Sequence, residues 1–346
     1  MHIAIVTPRQ FGDDAKGGGE RYVTELSAAL KKIGISNEVL EIPRLRSWRC
    51  DSAEIGFSEL WSRIRKADVL HIHQLNSPGF DIGAVIARIN RVPIVLTDHG
   101  GGFICPGRLL GRARLLCVSA AAYVSAWSSY DIDPHKRIRN HTLIYGGGDH
   151  VTAAPEIDSI VDFAVVGRIL PHKGAHIAIE ALPDSASLRI VGQVRDSEYY
   201  KYLARIAEGK RVTFVPDADD AEVAQTYKDA RYILCPSVTS YGGHVYSRPE
   251  LLGLVALESL AVGTPVIGSR VGGLAETLER FSQQTVEAGS VKAWRETLQN
   301  SLTNQASSES VNARGEVTWE SVAVRCQRVY SSVLQSRRGQ IGVVDA

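Results

Sequence analysis

Short apolar runs alternate with longer amphipathic stretches from the first residues of the chain onward. The runs are rich in β-branched residues, as in "HIAIV", "DVLHIH" and "VPIVLT", whereas stretches such as "ERYVTELSAALKKIG" place apolar residues at helical spacing. Strands that alternate with helices are typical of βαβ units and a parallel sheet. The first part of the chain is therefore predicted to be a doubly wound α/β domain.

The same alternation starts again after "HTLIYGGGDH", with strands predicted at "DFAVVGRIL", "SLRIVGQ", "RVTFVPD", "RYILCPS" and "TPVIGS". The three glycines of that stretch and the following "TAAPEIDS" form the best linker candidate, because clustered Gly and Pro interrupt both periods. A length of 346 residues also suits two domains. We predict a first domain at 1–150, a second at 151–320, and a C-terminal helix with a loose tail at 321–346.

Charge and cysteine content narrow the class of protein. The 39 Lys and Arg against 38 Asp and Glu give a net charge of +1, which provides no overall field for nucleic acid or an anionic bilayer. The five cysteines are widely spaced without C-x-x-C, so we expect reduced thiols. No run reaches the roughly 18 apolar residues of a membrane span, and "MHIAIVTPRQ" does not resemble a signal peptide. We expect a soluble cytoplasmic protein.

Two features of the first domain could contact an anion. Gly17, Gly18 and Gly19 lie where a helix begins, and helix N-termini attract negative charge; a tight turn without ligand is an equal alternative. Asp98 and His99 follow the strand "VPIVLT", at the edge of the sheet where open α/β folds bind ligands. A structural histidine is an equal alternative there.

His71 and His73 alternate along one strand, so both rings face the same side and a metal site is conceivable. No carboxylate or cysteine cluster accompanies them. We therefore favour two neutral histidines.

The second domain has a loop, "GRILPHKG", with two cations just after a strand. Arg168 and Lys173 suit a pyrophosphate, Arg as a fork and Lys as a point charge. The loop is not a Walker loop, and a solvated loop with two surface cations is an equal alternative.

The stretch "PELLGLVALESLAVGTPVIGS" carries two glutamates, Glu250 and Glu258, in an otherwise apolar run. A helix is predicted from Gly253 to Ala261, closed by Gly263, with Glu250 at or just before its start and Glu258 two turns in. A buried carboxylate needs a partner such as a hydroxyl, an N–H or a cation. The alternatives are an acid that complements the helix dipole for Glu250 and a surface position for Glu258.

These motifs, "GGGERYVTEL", "TDHG", "GRILPHKG", "ARYILCPS" and "ELLGLVALESLAVGTPVIGSRVGGLAE", occur in the order found in retaining glycosyltransferase family 4, which the chain resembles over nearly its whole length. The resemblance implies the GT-B architecture, two Rossmann-like domains that face a central cleft, with the last helix crossing back to the first domain. It also implies a nucleotide-sugar donor in the second domain and an acceptor in the first.

By this resemblance Glu250 contacts the transferred sugar, Glu258 binds the ribose hydroxyls, Arg168 and Lys173 bind the diphosphate, and His99 lies beside the sugar. The remaining donor-binding positions that it implies are mainly backbone groups: Gly17, Gly18, Gly19, Gly167, Leu252, Gly253 and Leu254.

Retaining transfer of a hexose is expected from the resemblance, with no protein nucleophile. A UDP-sugar is favoured over a GDP-sugar. The acceptor is expected to be a glycan, a lipid-linked glycan or a small molecule, and nucleic acid is not expected to bind. We expect no cofactor and no metal, because fixed cations and helix N-termini stabilise a leaving diphosphate. The "DID" at 131–133 is interpreted as a turn.

Three segments differ from the family pattern or stay open. Pro216 stands where the family commonly has glycine. The segment "CPGRLLGRARLL" could contact an anionic lipid surface or a phosphorylated acceptor through Arg108, Arg112 and Arg114, although an ordinary loop and helix near the cleft is favoured. The long segment "VTSYGGHVYSRP" offers four candidates for donor or acceptor selection: Tyr241, His244, Tyr246 and Arg248.

Two other classes of protein remain as alternatives. One is a GT-B fold that binds nucleotide sugar without catalysis, although the residues that such a fold would be expected to lose are present. The other is a nicotinamide-dependent oxidoreductase, against which the first strand lacks a following G-x-G-x-x-G.

Overall fold

A computed structural model describes residues 1–9, 17–44, 47–50, 53–100, 113–151, 161–247, 250–303 and 316–341. The chain forms two compact units, one made of Met1–Tyr145 with Trp319–Ala346 and the other of Gly146–Thr318. Each unit is an α/β structure built on a mainly parallel sheet. The predicted doubly wound fold class is therefore confirmed.

The first unit contains an eight-stranded sheet. Its strands are β1 His2–Thr7, β2 Ser36–Arg44, β3 Ser47–Cys50, β4 Ala53–Ile55, β5 Val69–His73, β6 Ile94–Thr97, β7 Ala120–Tyr123 and β8 His141–Leu143. Their order is β4-β3-β2-β1-β5-β6-β7-β8, and all neighbours are parallel except β2–β3 and β3–β4. The helices that cover this sheet within the first 145 residues are α1 Gly18–Lys32, α2 Phe57–Lys66, α3 Pro78–Ile89 and α4 Ala126–Ile132.

The central strands of this sheet are buried on both faces. Every residue of β5 and β6 is buried, which explains their nearly continuous apolar sequence. The chain moves outward from β1 to β2 on one side and from β5 to β8 on the other. The direction of winding thus reverses between β1 and β5, and open α/β sheets bind ligands at the carboxyl ends of the strands at such a point.

The second unit contains a six-stranded parallel sheet. Its strands are β9 Val161–Val166, β10 Leu188–Gly192, β11 Val212–Pro216, β12 Ala230–Cys235, β15 Val266–Ser269 and β16 Gln284–Val286, and a separate antiparallel hairpin is formed by β13 Ser240–Tyr241 and β14 His244–Val245. The order β11-β10-β9-β12-β15-β16 is that of a dinucleotide-binding fold, with its reversal between β9 and β12. The helices are α5 Ala175–Ala181, α6 Ser197–Ile206, α7 Asp220–Asp229, α8 Leu254–Val262, α9 Gly272–Arg280 and α10 Val291–Thr303.

The last helix, α11 Trp319–Ile341, packs within the first unit. Trp319 contacts the ring of Tyr22 on α1 edge-on, with 5.0 Å between centroids. Tyr330 lies 2.8 Å from a ring nitrogen of His71 on β5. This helix therefore covers the side of the sheet on which the strand histidines lie.

Among the described residues no disulfide joins Cys50, Cys117, Cys235 or Cys326, and Cys105 lies outside them. Across the described ranges, no helix has both the length and the apolar character that crossing a bilayer requires.

Candidate functional site

The predicted cation Lys173 and the predicted acid Glu250 meet in the second unit. The Nζ of Lys173 lies 2.5 Å from Oε1 of Glu250, and Ser237 Oγ donates to the same oxygen at 2.9 Å. Lys173 ends a short 3-10 turn that follows β9, whereas Ser237 and Glu250 both follow β12. Because β9 and β12 are neighbours and winding reverses between them, this cluster lies at the ligand-binding edge of a doubly wound sheet.

Main-chain contacts fix the two loops that carry this cluster. Gly174 has a φ of +72°, and a Cβ there would lie 1.9 Å from the carbonyl oxygen of Pro236. The N–H of Val238 donates to the carbonyl of His172 at 2.9 Å. Only glycine fits at 174, because both its backbone angle and the close approach of the second loop exclude a side chain. Lys173 and Ser237 are thus brought together by the backbone.

The cluster is charged at neutral pH. Burial raises the pKa of the Glu250 carboxyl, but the charge and hydrogen bond of Lys173 and the hydrogen bond of Ser237 outweigh burial and leave the pKa below its ordinary value. Burial, with Lys173 nearby, lowers the pKa of His172 to about 4. His172 is therefore neutral, and Lys173 and Glu250 form an ion pair. The predicted partner Arg168 is exposed just after Gly167, whose φ is +135°.

Glu250 keeps one oxygen available. Its Oε1 accepts from both Lys173 and Ser237, while for Oε2 the described residues supply no hydrogen-bond partner. Lys173 likewise uses one of the three donors of its ammonium group on Glu250. The pair can therefore bind a hydroxyl through the carboxylate and an anion through the ammonium without being broken.

The predicted helix after Glu250 starts one residue later than expected, at Leu254, and ends at Val262. Gly253 is its N-cap, with a φ of +80°, so Glu250 lies in a loop four residues before the first helical residue. That loop is fastened to α9: the carbonyl of Glu250 accepts from the N–H of Gly273 at 3.0 Å. The N–H groups of Leu254 and Val255 open α8 and have no acceptor within their own helix, whereas the N–H of Ala256 donates to the carbonyl of Gly253 at 2.9 Å.

Glu258 is buried among polar partners within the second unit. Its Oε2 accepts from the hydroxyl of Tyr227, and its Oε1 lies 3.1 Å from Nε2 of His150. Its side chain is 12% exposed, which excludes the surface position considered from the sequence. Each carboxylate oxygen has two lone pairs, so further acceptance from a ligand hydroxyl stays open. Neither Tyr227 nor His150 was predicted, since nothing in their local sequence indicates a long-range partner.

The glycines of the first unit lie at the start of α1. The first-turn N–H groups of a helix have no acceptor within the helix. Gly17, the N-cap of α1, has no side chain that could cap them. A Cβ on Gly19 would lie 3.0 Å from Cβ of His99, so glycine permits this close packing. The carboxylate of Glu20 lies next to Gly17, where it complements the positive end of the helix dipole.

His99 lies beside His73 in the first unit, with nearly parallel ring planes, 9° apart, and centroids 5.2 Å apart. Nε2 of His99 lies 2.9 Å from Nδ1 of His73. Burial lowers the pKa of His99 to about 4 and that of His73 well below its ordinary value. Asp98 beside it has a structural contact, since its carboxylate accepts from the N–H of Leu75 at 2.8 Å.

His71 is fully buried next to His73, on the same side of the sheet as predicted. It lies 2.8 Å from the hydroxyl of Tyr330 and 2.9 Å from that of Thr97, and burial lowers its pKa to about 3. The favoured interpretation, two neutral histidines, agrees with this geometry. In the ranges that the structure describes, no group of three or more His, Cys, Asp or Glu is arranged to bind a metal ion.

The idea that Arg114 contacts lipid is wrong. Its side chain is buried and makes a two-pronged ion pair with Asp81 at 2.7 and 2.8 Å, so it is committed inside the fold. The turn predicted at 131–133 is wrong for its first two residues, since Asp131 and Ile132 end helix α4. Asp133 is the C-cap of that helix, and its carboxylate accepts from the N–H of Ile138 at 2.7 Å. Three other arginines that the sequence analysis named lie outside the described residues: Arg108, Arg112 and Arg248.

The long segment after β12 forms the hairpin β13–β14, whose aromatic residues pack back on the second unit. Tyr241 lies 4.8 Å from the ring of His176 and 5.4 Å from that of Tyr199. Tyr246 lies 5.3 Å from the ring of His172, the neighbour of Lys173. The hairpin therefore reaches the edge of the Lys173–Glu250 cluster.

Known proteins resemble this chain in sequence and in fold. Residues 156–317 match the family described as Glycosyl transferases group 1. The chain is 25% identical to the phosphatidyl-myo-inositol mannosyltransferase of Mycobacterium leprae, over 97% of this chain and 98% of that protein. It is 30% identical to a D-inositol 3-phosphate glycosyltransferase of Acidothermus cellulolyticus, over 60% of this chain and 53% of that protein.

Among solved structures, Anabaena HepE matches with a TM-score of 0.72 and 18% identity, over 96% of this chain and all of that one. The fold is thus of the GT-B type. Residues 156–317, slightly less than half of the chain, match the Glycosyl transferases group 1 family, and the predicted resemblance is confirmed.

Proposed function

We propose that the chain is a retaining, metal-independent hexosyltransferase. It moves a sugar from a nucleoside diphosphate to a hydroxyl of a glycan, a glycolipid or a small molecule, with a UDP-sugar as the favoured donor and a GDP-sugar next. The observation that carries this proposal is the Lys173–Glu250–Ser237 cluster at the point in the second unit where winding reverses.

The cluster matches the chemistry of a nucleotide-sugar donor. Lys173 has donors left for the diphosphate, and the exposed guanidinium of Arg168 adds a second positive charge after the same strand. The free oxygen of Glu250 can accept from sugar hydroxyls. Negative charge grows on the diphosphate as the glycosidic bond breaks, and fixed cations with the opening N–H groups of α8 stabilise that charge.

The remaining predicted residues receive binding roles. Glu258 binds the ribose hydroxyls, His99 contacts the transferred sugar, and the glycines at the start of α1 approach the diphosphate. No side chain is assigned as nucleophile: the acceptor hydroxyl attacks from the face that the diphosphate leaves, and the leaving phosphate takes the hydroxyl proton. Glu250 holds Lys173 through one oxygen and contacts the transferred sugar through the other, where its negative charge stabilises the positive charge that the sugar ring gains.

The names of related proteins support the donor class. HepE was crystallised with UDP and with UDP-glucose, and the relatives carry names of mannosyl and glycosyl transfer to inositol compounds. UDP is therefore the first nucleotide to test.

A ligand screen tests the binding step. Thermal unfolding is measured with UDP, GDP, ADP and dTDP, and a ligand present at 100 times its Kd stabilises the native state by about 2.7 kcal/mol. We expect UDP to raise the melting temperature most, and Lys173→Ala to weaken that effect. If none of the four nucleotides stabilises the protein, the donor site is wrong.

Turnover separates the enzyme from a binding protein of the same fold. Nucleotide release from UDP-sugars is followed in EDTA with a mixture of glycan and small-molecule acceptors. Binding without release would favour the catalytically inactive alternative. Loss of release in EDTA that a divalent ion restores would contradict metal independence.

A further inference from the structure

The neighbouring rings of His73 and His99 form a hydrogen bond, and the groups around them determine which ring donates. Nδ1 of His73 and Nε2 of His99 are 2.9 Å apart, and both rings are neutral, so one nitrogen donates and the other accepts. Hydrogen positions are assigned from the network of partners. The question is which ring supplies the proton.

The surroundings of Nε2, the other ring nitrogen of His73, show which ring donates. This atom is sealed from solvent, His73 is 1% exposed, and Nε2 has no hydrogen-bond partner. If His99 donated, the proton of His73 would be on Nε2, as a buried N–H without an acceptor. Buried N–H groups without partners are rarer in proteins than underused acceptors. His73 therefore carries its proton on Nδ1 and donates it to His99.

His71, the ring beneath His73, is also fixed in one neutral form. The hydroxyl of Thr97 donates to the carbonyl of Ala122, so it accepts from Nε2–H of His71, and Nδ1 of His71 accepts from Tyr330. The ring centroids of His71 and His73 are 4.1 Å apart. A neutral, fully hydrogen-bonded His71 supports the ring of His73 without competing for its proton.

We propose that His73 is a positioning residue that holds His99 in the tautomer with its proton on Nδ1. Nε2 of His99 then accepts from His73, and Nδ1–H is left as a hydrogen-bond donor for which the described residues supply no acceptor. The tautomer follows from the geometry of the first unit alone. Only the last step, donation from Nδ1 to an oxygen of the transferred sugar, rests on the proposed function.

This tautomer gives the sugar contact a defined polarity. A neutral donor stabilises an oxygen that gains negative charge and leaves a cationic sugar ring without the repulsion that an imidazolium would add. Gly19 packs against His99 on the other side, so the ring is held between α1 and β5. His99 therefore contacts the ligand, and His73 acts through it.

NMR of the full chain with 15N-labelled histidine rings tests the tautomer directly. The signals of His99 are identified by their loss in His99→Phe, and we expect the proton on Nδ1 in the wild type. His73→Phe keeps an aromatic ring, somewhat larger than imidazole, but removes the donor, and it should give a mixture with Nε2–H. A wild-type His99 protonated on Nε2, or a tautomer unchanged in His73→Phe, would overturn the proposal.

Two further variants supply the functional arm and the control. His73→Asn places an amide N–H near the former Nδ1, so it should preserve the tautomer and most of kcat, whereas His73→Phe should lower kcat about 10- to 100-fold with little change in donor KM. Tyr330→Phe removes a hydrogen bond of His71 and should lower the melting temperature without changing the His99 tautomer. Equal kcat in the Phe and Asn variants would refute positioning. A correct tautomer in a chain without turnover would instead refute the proposed function.

Discussion

Replacing Glu250 by Gln removes one charge from the Lys173–Glu250 pair and leaves its shape intact. The amide oxygen can still accept from Lys173 and from Ser237, which lie 2.5 and 2.9 Å from the present Oε1. The change therefore isolates charge. Lys173 keeps its charge in this variant, whereas the bond from Ser237 becomes one between neutral groups. A hydrogen bond to a charged group is worth about 1.5 to 3 kcal/mol and a neutral one about 0.5 to 1.5, so we expect the free energy of unfolding to fall by at least about 1 kcal/mol.

The effect on catalysis should be larger. Loss of one well-placed charge-stabilising group costs about 2.7 to 4 kcal/mol of transition-state stabilisation, or about 10²- to 10³-fold in kcat. The assay is UDP release from a UDP-sugar, with urea unfolding of the same preparations. Turnover in Glu250→Gln within about threefold of the wild type, with the fold intact, would refute the role of this carboxylate.

A second glutamate provides a matched control. Glu198 pairs with Lys201 at 2.8 Å, also in the second unit, but the two side chains are 81% and 72% exposed. Water screens such a pair, so Glu198→Gln should change neither kcat nor the unfolding curve measurably. A similar loss of turnover in both variants would show that the effect of Glu250→Gln is not specific to the site.

Three further changes have defined outcomes. Glu258→Ala should raise the donor KM and leave kcat within about threefold, because a ribose contact is equally strong in the ground state and the transition state. Steady-state kinetics measure both constants, and a changed kcat with an unchanged KM would contradict the ribose contact. Gly174→Ala should lower the free energy of unfolding, measured in urea, by at least about 1 to 2 kcal/mol, because alanine is strained at a φ of +72° and its Cβ would meet the carbonyl of Pro236. A variant as stable as the wild type would contradict the contact between the two loops. Burial lowers the pKa of His71 to about 3, so this ring stays neutral in the folded state, whereas in the unfolded state it binds a proton below about pH 6.5. His71 should therefore contribute about 1.4 kcal/mol per pH unit to the loss of stability from pH 6.5 downward, in addition to His73 and His99, and His71→Asn should reduce the slope by that amount; an unchanged slope would exclude this residue as a cause.

Local pattern predicted the fold class and part of each sheet. Alternating apolar runs identified β1, β5 and β6 in the first sheet and five strands of the second, because a strand buried on both faces is apolar along its length; the five are β9, β10, β11, β12 and β15. The cations after β9 and the acids after β12 could be placed at one edge, since parallel strands end on the same side. Gly253 and Gly263 marked the ends of α8 to within one residue, because only glycine takes a positive φ at little cost.

Contacts between distant segments were not predictable in the same way. His150 and Tyr227 both contact Glu258, and Arg114 pairs with Asp81, although each lies far from its partner in the sequence. The antiparallel strands β3 and β4 were also missed, because they lie at an edge with mixed polar and apolar residues. Such features depend on which elements pack together, and the sequence pattern within one segment does not indicate which elements those are.

Transfer with retention, without a metal, is tested most directly by proton NMR of the reaction as it runs. UDP-glucose, an α-linked donor, is incubated with the chain and the acceptor mixture in EDTA, and the first anomeric signal of the product is recorded. We expect a new α signal as UDP-glucose disappears, and a rate at least about 100-fold lower with Lys173→Ala. A β-linked product, or turnover in EDTA that Lys173→Ala leaves unchanged, would contradict the proposed site and its chemistry.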